Sequence, residues 1–176
     1  MTMHHFNYER TAMIRQKFLD PGKFVTFVAP ERSDVVADIG AGDGYYSVLL
    51  SPYVREVHAF DAQHDSLSLI PDKQNIRKHR LDVCSGLPHI GFTKVIFVNS
   101  FHDLLCRDSI LRQLSHEIKA QIIVFMEFKK QEMNIGPPVS IRISEGELDK
   151  ILDNHGYLPV GGTEMEIFYL RKFRLA

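Results

Sequence analysis

Runs of apolar and β-branched residues alternate with helical patterns along most of the chain. Between the fourth and fifth runs, residues 108–118 carry apolar side chains at helical spacing. Strands that alternate with helices form parallel sheets, so the pattern predicts a doubly wound α/β fold. The fourth and fifth runs are almost entirely apolar, which predicts that they lie at the centre of the sheet. The five predicted strands are residues 35–39, 56–61, 76–82, 95–98 and 122–126, and each is expected to be followed by a helix.

The segments on either side of these strands predict helices before them and a strand pair after them. Two helical patterns, residues 8–19 and 23–28, precede the first strand. Near the other end, Ser144 and Glu147 have the spacing of a capping box, which opens a helix. The last two predicted strands, residues 157–160 and 166–173, are joined through Gly161-Gly162. They must pair antiparallel because no helix fits between them.

The expected fold is a three-layer, Rossmann-like α/β sheet of seven strands, the last one antiparallel, with two N-terminal helices. A chain of 176 residues and 20.2 kDa buries roughly 70% of its extended surface, which is enough for one compact domain. We expect residues 1–33 to form a helical extension or lid of that domain. Residues 34–176 are expected to form its ligand-binding part.

The composition is that of an ordinary globular protein, with 44% hydrophobic and 24% charged residues. Because 21 Lys+Arg nearly balance 22 Asp+Glu, the charge argues against a nucleic-acid partner and against a membrane surface. The sequence has no signal-peptide pattern and no long apolar run, so we expect a cytoplasmic protein. Cys84 and Cys106 fit neither a C-x-x-C pair nor a zinc spacing. We therefore expect two small, partly buried cysteines rather than a disulfide, and no metal site.

A glycine-rich segment directly follows the first predicted strand and precedes a helical pattern. Residues 35–44 read V-V-A-D-I-G-A-G-D-G, and glycine at such a turn lets a ligand approach the backbone closely. The dinucleotide pattern G-x-G-x-x-G/A fails because Tyr45 stands where it needs Gly or Ala. Carboxylates at Asp38 and Asp43 would repel a pyrophosphate but attract a cationic amino-acid group. The turn therefore favours a ligand with a cationic head.

With this turn and the motifs that follow it, the chain resembles the class I S-adenosylmethionine-dependent methyltransferases, in particular the small type 11 enzymes related to ubiquinone/menaquinone methyltransferases. The segment 35–44 is similar to the first motif of that family, and Phe60-Asp61 to its acidic ribose-binding position. Leu81-Asp82-Val83 resembles the segment that holds the adenine, and residues 99–103 resemble the variable fourth motif. The resemblance covers nearly the whole chain.

The resemblance implies that S-adenosylmethionine is the cofactor. It also implies methyl transfer to an acceptor that the sequence leaves undetermined, with a small molecule expected and an exposed group on a larger partner left open. The implied cofactor-binding residues are Asp38, Gly40, Ala41, Gly42, Gly44, Asp61, Ala62, Asp82, Val83 and Asn99. Asp38 alternatively serves as a structural acid that pins the turn.

The candidates for catalytic residues are His102 and Asp103, because they follow the central fourth strand where the methyl group should point. In a displacement at a sulfonium methyl, alignment supplies most of the rate and a base is needed only if the nucleophile holds a proton. His102 would act as base or orient the acceptor, and Asp103 would hold its tautomer. Adjacent side chains on an extended chain point apart, which argues against a direct pair.

Other interpretations remain open from the sequence. A catalytically silent protein that binds S-adenosylmethionine or another nucleoside would keep the same fold, and a nucleotide oxidoreductase is disfavoured by Tyr45. The segment with Phe6 and Tyr8 would either cover the cofactor as a lid or pack on the sheet. The basic run 77–80 is typical of an edge strand protected by charge, the alternative being a phosphate or nucleic-acid patch.

Overall fold

A computed structural model describes residues 8–176 of the chain, with Tyr8 by its backbone alone. The expectations for Phe6 and for the Tyr8 side chain lie outside the described residues. The strands are β1 (Val35–Ile39), β2 (Glu56–Asp61), β3 (Ile76–Arg80), β4 (Lys94–Val98), β5 (Ile122–Phe128), β6 (Tyr157–Glu164) and β7 (Phe168–Leu175). The α-helices are α1 (Tyr8–Phe18), α2 (Pro21–Val28), α3 (Tyr45–Leu50), α4 (His64–Ser68), α5 (Arg107–Arg112) and α6 (Glu145–Asp153), and α5 continues as a π-helix, Gln113–Ile118.

The seven strands form one sheet in the order β3-β2-β1-β4-β5-β7-β6. β7 runs antiparallel to both of its neighbours, and the first five strands are mutually parallel. This confirms the predicted Rossmann-like α/β fold class. The chain order reverses direction between β1 and β4, and open α/β sheets bind ligands beyond the carboxyl ends of the strands at such a switch point.

Helices cover both faces of the sheet and divide the core into two apolar clusters. On one face α5 and α6 pack against the odd-numbered positions of β1, where Ala37 and Ile39 are fully buried. On the other face α2, α3 and α4 pack around Val36. The sheet is therefore buried on both sides at β1, which explains why its sequence is apolar throughout except for Asp38.

The N-terminal helices lie on the second of these faces. α2 begins at Pro21, and the Asp20 side chain caps it by accepting a 2.9 Å hydrogen bond from the backbone N–H of Lys23. Ile14 and Phe18 of α1 are half-buried against the same cluster. The described part of the N-terminal segment thus packs onto the domain.

Two details of the predicted topology are wrong. First, no α-helix connects β3 to β4; the connection contains a 3₁₀ turn, Val83–Ser85. Second, Gly161 and Gly162 lie inside β6, which continues to Glu164, and the hairpin turns at residues 165–167. The register with β7 shifts between Pro159 and Gly161, and glycine inside a strand often marks such a bulge.

The basic run 77–80 lies on β3, an edge of the sheet, as its charge predicts. Arg77 pairs with Glu56 at 2.7 Å, and Lys78 pairs with Asp72 at the same distance. These charged side chains disfavour pairing of the open sheet edge with a strand from another chain. Over residues 8–176, no helix has the length and apolar character needed to cross a bilayer.

Candidate functional site

The turn after β1 adopts a backbone conformation that requires glycine. Gly40, Gly42 and Gly44 have φ angles of +74°, +55° and +73°, in the left-handed region that other residues rarely adopt. A Cβ on Gly40 would lie 2.6 Å from the Cβ of Ser100, and one on Gly44 would lie 2.4 Å from the Ile70 side chain. Gly40 therefore allows the turn to pack directly against the segment that follows β4, and Gly44 allows it to pack against Ile70 after α4.

Asp61, the last residue of β2, ties its strand to this turn. Its Oδ2 accepts a 2.9 Å hydrogen bond from the backbone N–H of Gly42, and its Oδ1 accepts one of 2.8 Å from Gln63. The carboxylate is half-buried and has lone pairs left for further donors. Ala62 is exposed directly after it, while Ala41 is buried within the turn.

Asn99 sits beside the turn with an unpaired polar atom. It follows β4 with a left-handed φ of +51°, and its backbone N–H donates to the Met126 carbonyl at 2.8 Å. Its side-chain Oδ1 is buried, and no residue in the range 8–176 donates a hydrogen bond to it. The next residue, Ser100, donates from Oγ to the Ile39 carbonyl at 2.6 Å. A buried acceptor without a hydrogen-bond donor is costly, and the cofactor-binding role of Asn99 stays a prediction.

Asp38 is almost completely buried, at 1% exposure, in the strand that leads into the turn. Its Oδ2 accepts a 2.7 Å hydrogen bond from the Ser47 hydroxyl on α3. Burial raises the pKa of Asp38 to about 7; the Ser47 hydrogen bond opposes this rise, and the nearby carboxylate of Asp61 adds to it. The hydrogen-bond partner of Asp38 is therefore a protein hydroxyl. This agrees with the alternative that Asp38 is a structural acid that pins the turn, and its cofactor-binding role stays a prediction.

The segment after β3 lies at the same edge of the sheet. Asp82 is exposed and caps the 3₁₀ turn by accepting a 2.9 Å hydrogen bond from the backbone N–H of Cys84. Val83 is buried, as is Leu67 on α4. The carboxyl ends of the parallel strands thus carry the glycine turn, Asp61, Asp82 and Asn99, and these groups border the crevice that open α/β sheets have at this end.

The expectation for the two cysteines is wrong. Cys84 and Cys106 form a disulfide with their Cα atoms 5.5 Å apart. The bridge joins the turn after β3 to the residue that precedes α5, so it links the segment of Asp82 to the segment of His102. The two residues are 22 positions apart, and only the return of the chain through β4 brings them together.

His102 lies in a 3₁₀ turn after β4, and its nearest partner is a residue that the sequence did not single out. Its Nδ1 is 2.7 Å from Oε2 of Glu127 on β5, whereas its Nε2 is 3.4 Å from Oδ2 of Asp103. His102 and Glu127 are both buried, and Asp103 is largely exposed. The signal for Glu127 was available, because a single acid in a central apolar strand needs a partner.

The sequence also gave no sign of Arg15 on α1. Its guanidinium forms an ion pair with Asp43 of the glycine turn and lies 4.6 Å from the centre of the Tyr45 ring. Asp43 is therefore neutralised by the N-terminal helix rather than free to attract a ligand. This contact also attaches α1 to the rim of the crevice.

Comparison of sequences gives no match, either to a protein-family model or to a curated protein. Comparison of three-dimensional folds does give matches. A SAM-dependent methyltransferase from Aquifex aeolicus aligns with a TM-score of 0.83 over 96% of this chain and 98% of its own, at 20% identity. A type 11 methyltransferase from Sulfolobus solfataricus aligns with a TM-score of 0.75 over 89% and 92%, at 18% identity.

A cyclase, SpnF, shares the fold as well, with a TM-score of 0.71 over 88% of this chain and 79% of its own, at 12% identity. At such identities the likeness shows the fold alone. The chain has the fold of the SAM-dependent methyltransferases, so the resemblance stated from its motifs is confirmed at that level. Because one fold supports different chemistries, the activity has to be argued from the site.

Proposed function

We propose that this protein is an S-adenosylmethionine-dependent methyltransferase that binds its cofactor at the switch point between β1 and β4. The observation that carries the proposal is the buried, unpaired Oδ1 of Asn99 beside a turn that only glycine can form. An ammonium group is the kind of donor that such an oxygen accepts. S-adenosylmethionine carries this group in its amino-acid part.

The remaining polar groups of the crevice fit the other parts of the same molecule. Asp61 would accept hydrogen bonds from the ribose hydroxyls with its remaining lone pairs. Asp82 would accept from the adenine amino group, while Val83 and Leu67 would cover the ring. The bound cofactor supplies a sulfonium methyl group, which a nucleophile displaces in line.

Across residues 8–176, no large insertion lies between the elements that would form a separate substrate domain. We therefore propose a small-molecule acceptor, which would reach the methyl group near His102 and Asp103. The nearly balanced charge disfavours a nucleic-acid acceptor. Residues 34–176 would form the cofactor-binding domain, and the N-terminal helices would be its extension.

Isothermal titration calorimetry tests the cofactor assignment. We expect S-adenosylmethionine and its demethylated product to bind at sub-millimolar concentration and NADH not to bind. Replacing Asn99 by Ala should weaken binding about tenfold or more, since a hydrogen bond to a charged group contributes about 1.5–3 kcal/mol. The matched control is Asn154→Ala, at an exposed position after α6, which should leave the affinity unchanged.

Two results would argue against this assignment in different ways. If neither the cofactor nor its product binds, the proposal loses its basis. If both bind but no acceptor is ever methylated, the catalytically silent binding protein becomes the better description.

A further inference from the structure

Glu127 is the only acidic residue of β5, and it is 2% exposed. Both of its oxygens are used by the turn that follows β4. Oε1 accepts a 3.0 Å hydrogen bond from the backbone N–H of Phe101, and Oε2 lies 2.7 Å from Nδ1 of His102. Within residues 8–176, His102 is the only residue that forms an ion pair with Glu127. A buried carboxylate is costly unless it is paired, so the imidazole accounts for its placement.

The two ring nitrogens of His102 have different surroundings. Nδ1 points inward to Glu127, while Nε2 faces Asp103, whose side chain is 65% exposed at the rim. An ionised carboxylate can only accept hydrogen bonds, so Nδ1 must carry the proton in this pair. Nε2 of the neutral ring then has a free lone pair, which faces the Asp103 side chain.

We propose that Glu127 is a positioning residue that holds His102 with its proton on Nδ1, so that Nε2 accepts a proton from the methyl acceptor. This inference rests on the proposed methyl transfer and deepens it. The acceptor atom forms a bond to the methyl carbon, the carbon–sulfur bond breaks with its electron pair on sulfur, and the acceptor's proton passes to Nε2. Glu127 balances the charge of the imidazolium that results.

The acceptor class follows from this arrangement. A neutral group with a removable proton, such as a hydroxyl or a thiol, uses Nε2 as its base. A carboxylate has no proton to give, and it would approach two acidic side chains, Glu127 and Asp103. We therefore assign the acceptor to neutral compounds that carry a removable proton, such as a hydroxyl or a thiol.

The charged groups around His102 agree with this role. Arg107 on α5 donates from Nη2 to the His102 backbone carbonyl at 2.6 Å, and Tyr169 on β7 lies opposite Glu127 with its hydroxyl bonded elsewhere. Burial by itself lowers the pKa of His102, but the hydrogen bond and charge of Glu127 raise it, with a smaller contribution from Asp103. The net pKa lies above the ordinary histidine value.

Nitrogen-15 NMR of the full chain labelled at histidine tests the pairing without any acceptor. The His102 signals are assigned by their loss in His102→Gln. We expect the neutral ring to carry its proton on Nδ1. Glu127→Gln should lower the proton affinity of His102 at least tenfold, whereas the control Asp103→Asn should lower it less than threefold. A proton on Nε2, or an unchanged affinity in Glu127→Gln, overturns the proposal; if that variant does not fold, the wild-type tautomer alone decides.

A second set of measurements tests the acceptor class and separates it from the proposed function. Release of the demethylated cofactor is followed with phenol, benzyl mercaptan and benzoate, which share a ring. We expect transfer to phenol or benzyl mercaptan, and Glu127→Gln should lower kcat while leaving KM and cofactor affinity unchanged. Transfer to benzoate alone, or to none of the three, overturns the acceptor class. Failure of the wild type to bind the cofactor refutes the proposed function, whereas the wrong tautomer refutes the pair even where the cofactor binds.

Discussion

Replacing Asp38 by Asn should make the ligand-free protein more stable at neutral and alkaline pH. The pKa of Asp38 is about 7 in the fold instead of 3.8, so the fold favours the neutral carboxyl. The stability that the fold gains from holding this carboxyl neutral is fully present below pH 3.8 and is lost as the pH rises through 7. Each pKa unit corresponds to about 1.4 kcal/mol, so the ionised side chain lowers the free energy of unfolding by about 4 kcal/mol above pH 7. Asn has nearly the same shape and no charge, and it can keep the contact with Ser47.

Urea denaturation at pH 5 and pH 8 measures the effect. The difference in the free energy of unfolding between Asp38→Asn and wild type should be about 2.5 kcal/mol larger at pH 8 than at pH 5. The rest of the 4 kcal/mol is already lost between pH 3.8 and pH 5. Asp65→Asn, at a side chain that is 95% exposed, serves as the control and should show no such difference. A pH-independent effect of Asp38→Asn would refute the reasoning that burial keeps this carboxyl neutral.

Three further changes have defined outcomes. Gly44→Ala should lower the free energy of unfolding by about 2–4 kcal/mol, because of left-handed backbone strain and overpacking. The control Gly146→Ala, in open space on α6, should raise the free energy of unfolding slightly. Equal effects of the two substitutions would contradict the role given to Gly44. Reduction of the Cys84–Cys106 bridge, 22 positions apart in sequence, should lower the free energy of unfolding by about 3 kcal/mol, and an unchanged urea midpoint would contradict a formed disulfide. Asp61→Ala should weaken cofactor binding by about 1–3 kcal/mol in calorimetry, and an unchanged dissociation constant would refute its assignment to the ribose.

The sheet could be predicted because local patterns determine most of it. β1 and β2 have the predicted bounds: β1 is apolar apart from Asp38 and stops at Gly40, and β2 carries its apolar residues just before Asp61. The edge position of β3 follows from its charges. The glycine turn, too, is recognisable locally, because it requires three particular residues at alternate positions.

The contacts that the sequence did not reveal all join residues far apart in the chain. Glu127 contacts His102 only because β4 and β5 are neighbours in the sheet, and the two residues do not form a recognisable sequence motif. The disulfide depends on the same return of the chain. Gly161 and Gly162 resembled a turn because glycine is common both in tight turns and beside strand bulges, and a sequence does not distinguish the two.

The most direct test of the account is a crystal structure of the protein grown with S-adenosylhomocysteine, the demethylated product. The account predicts that the amino group of this ligand donates to Oδ1 of Asn99, that its ribose contacts Asp61, and that its backbone neighbours are the three glycines of the turn. A ligand bound elsewhere, or a crevice in which Asn99 finds a partner within the protein, would contradict it.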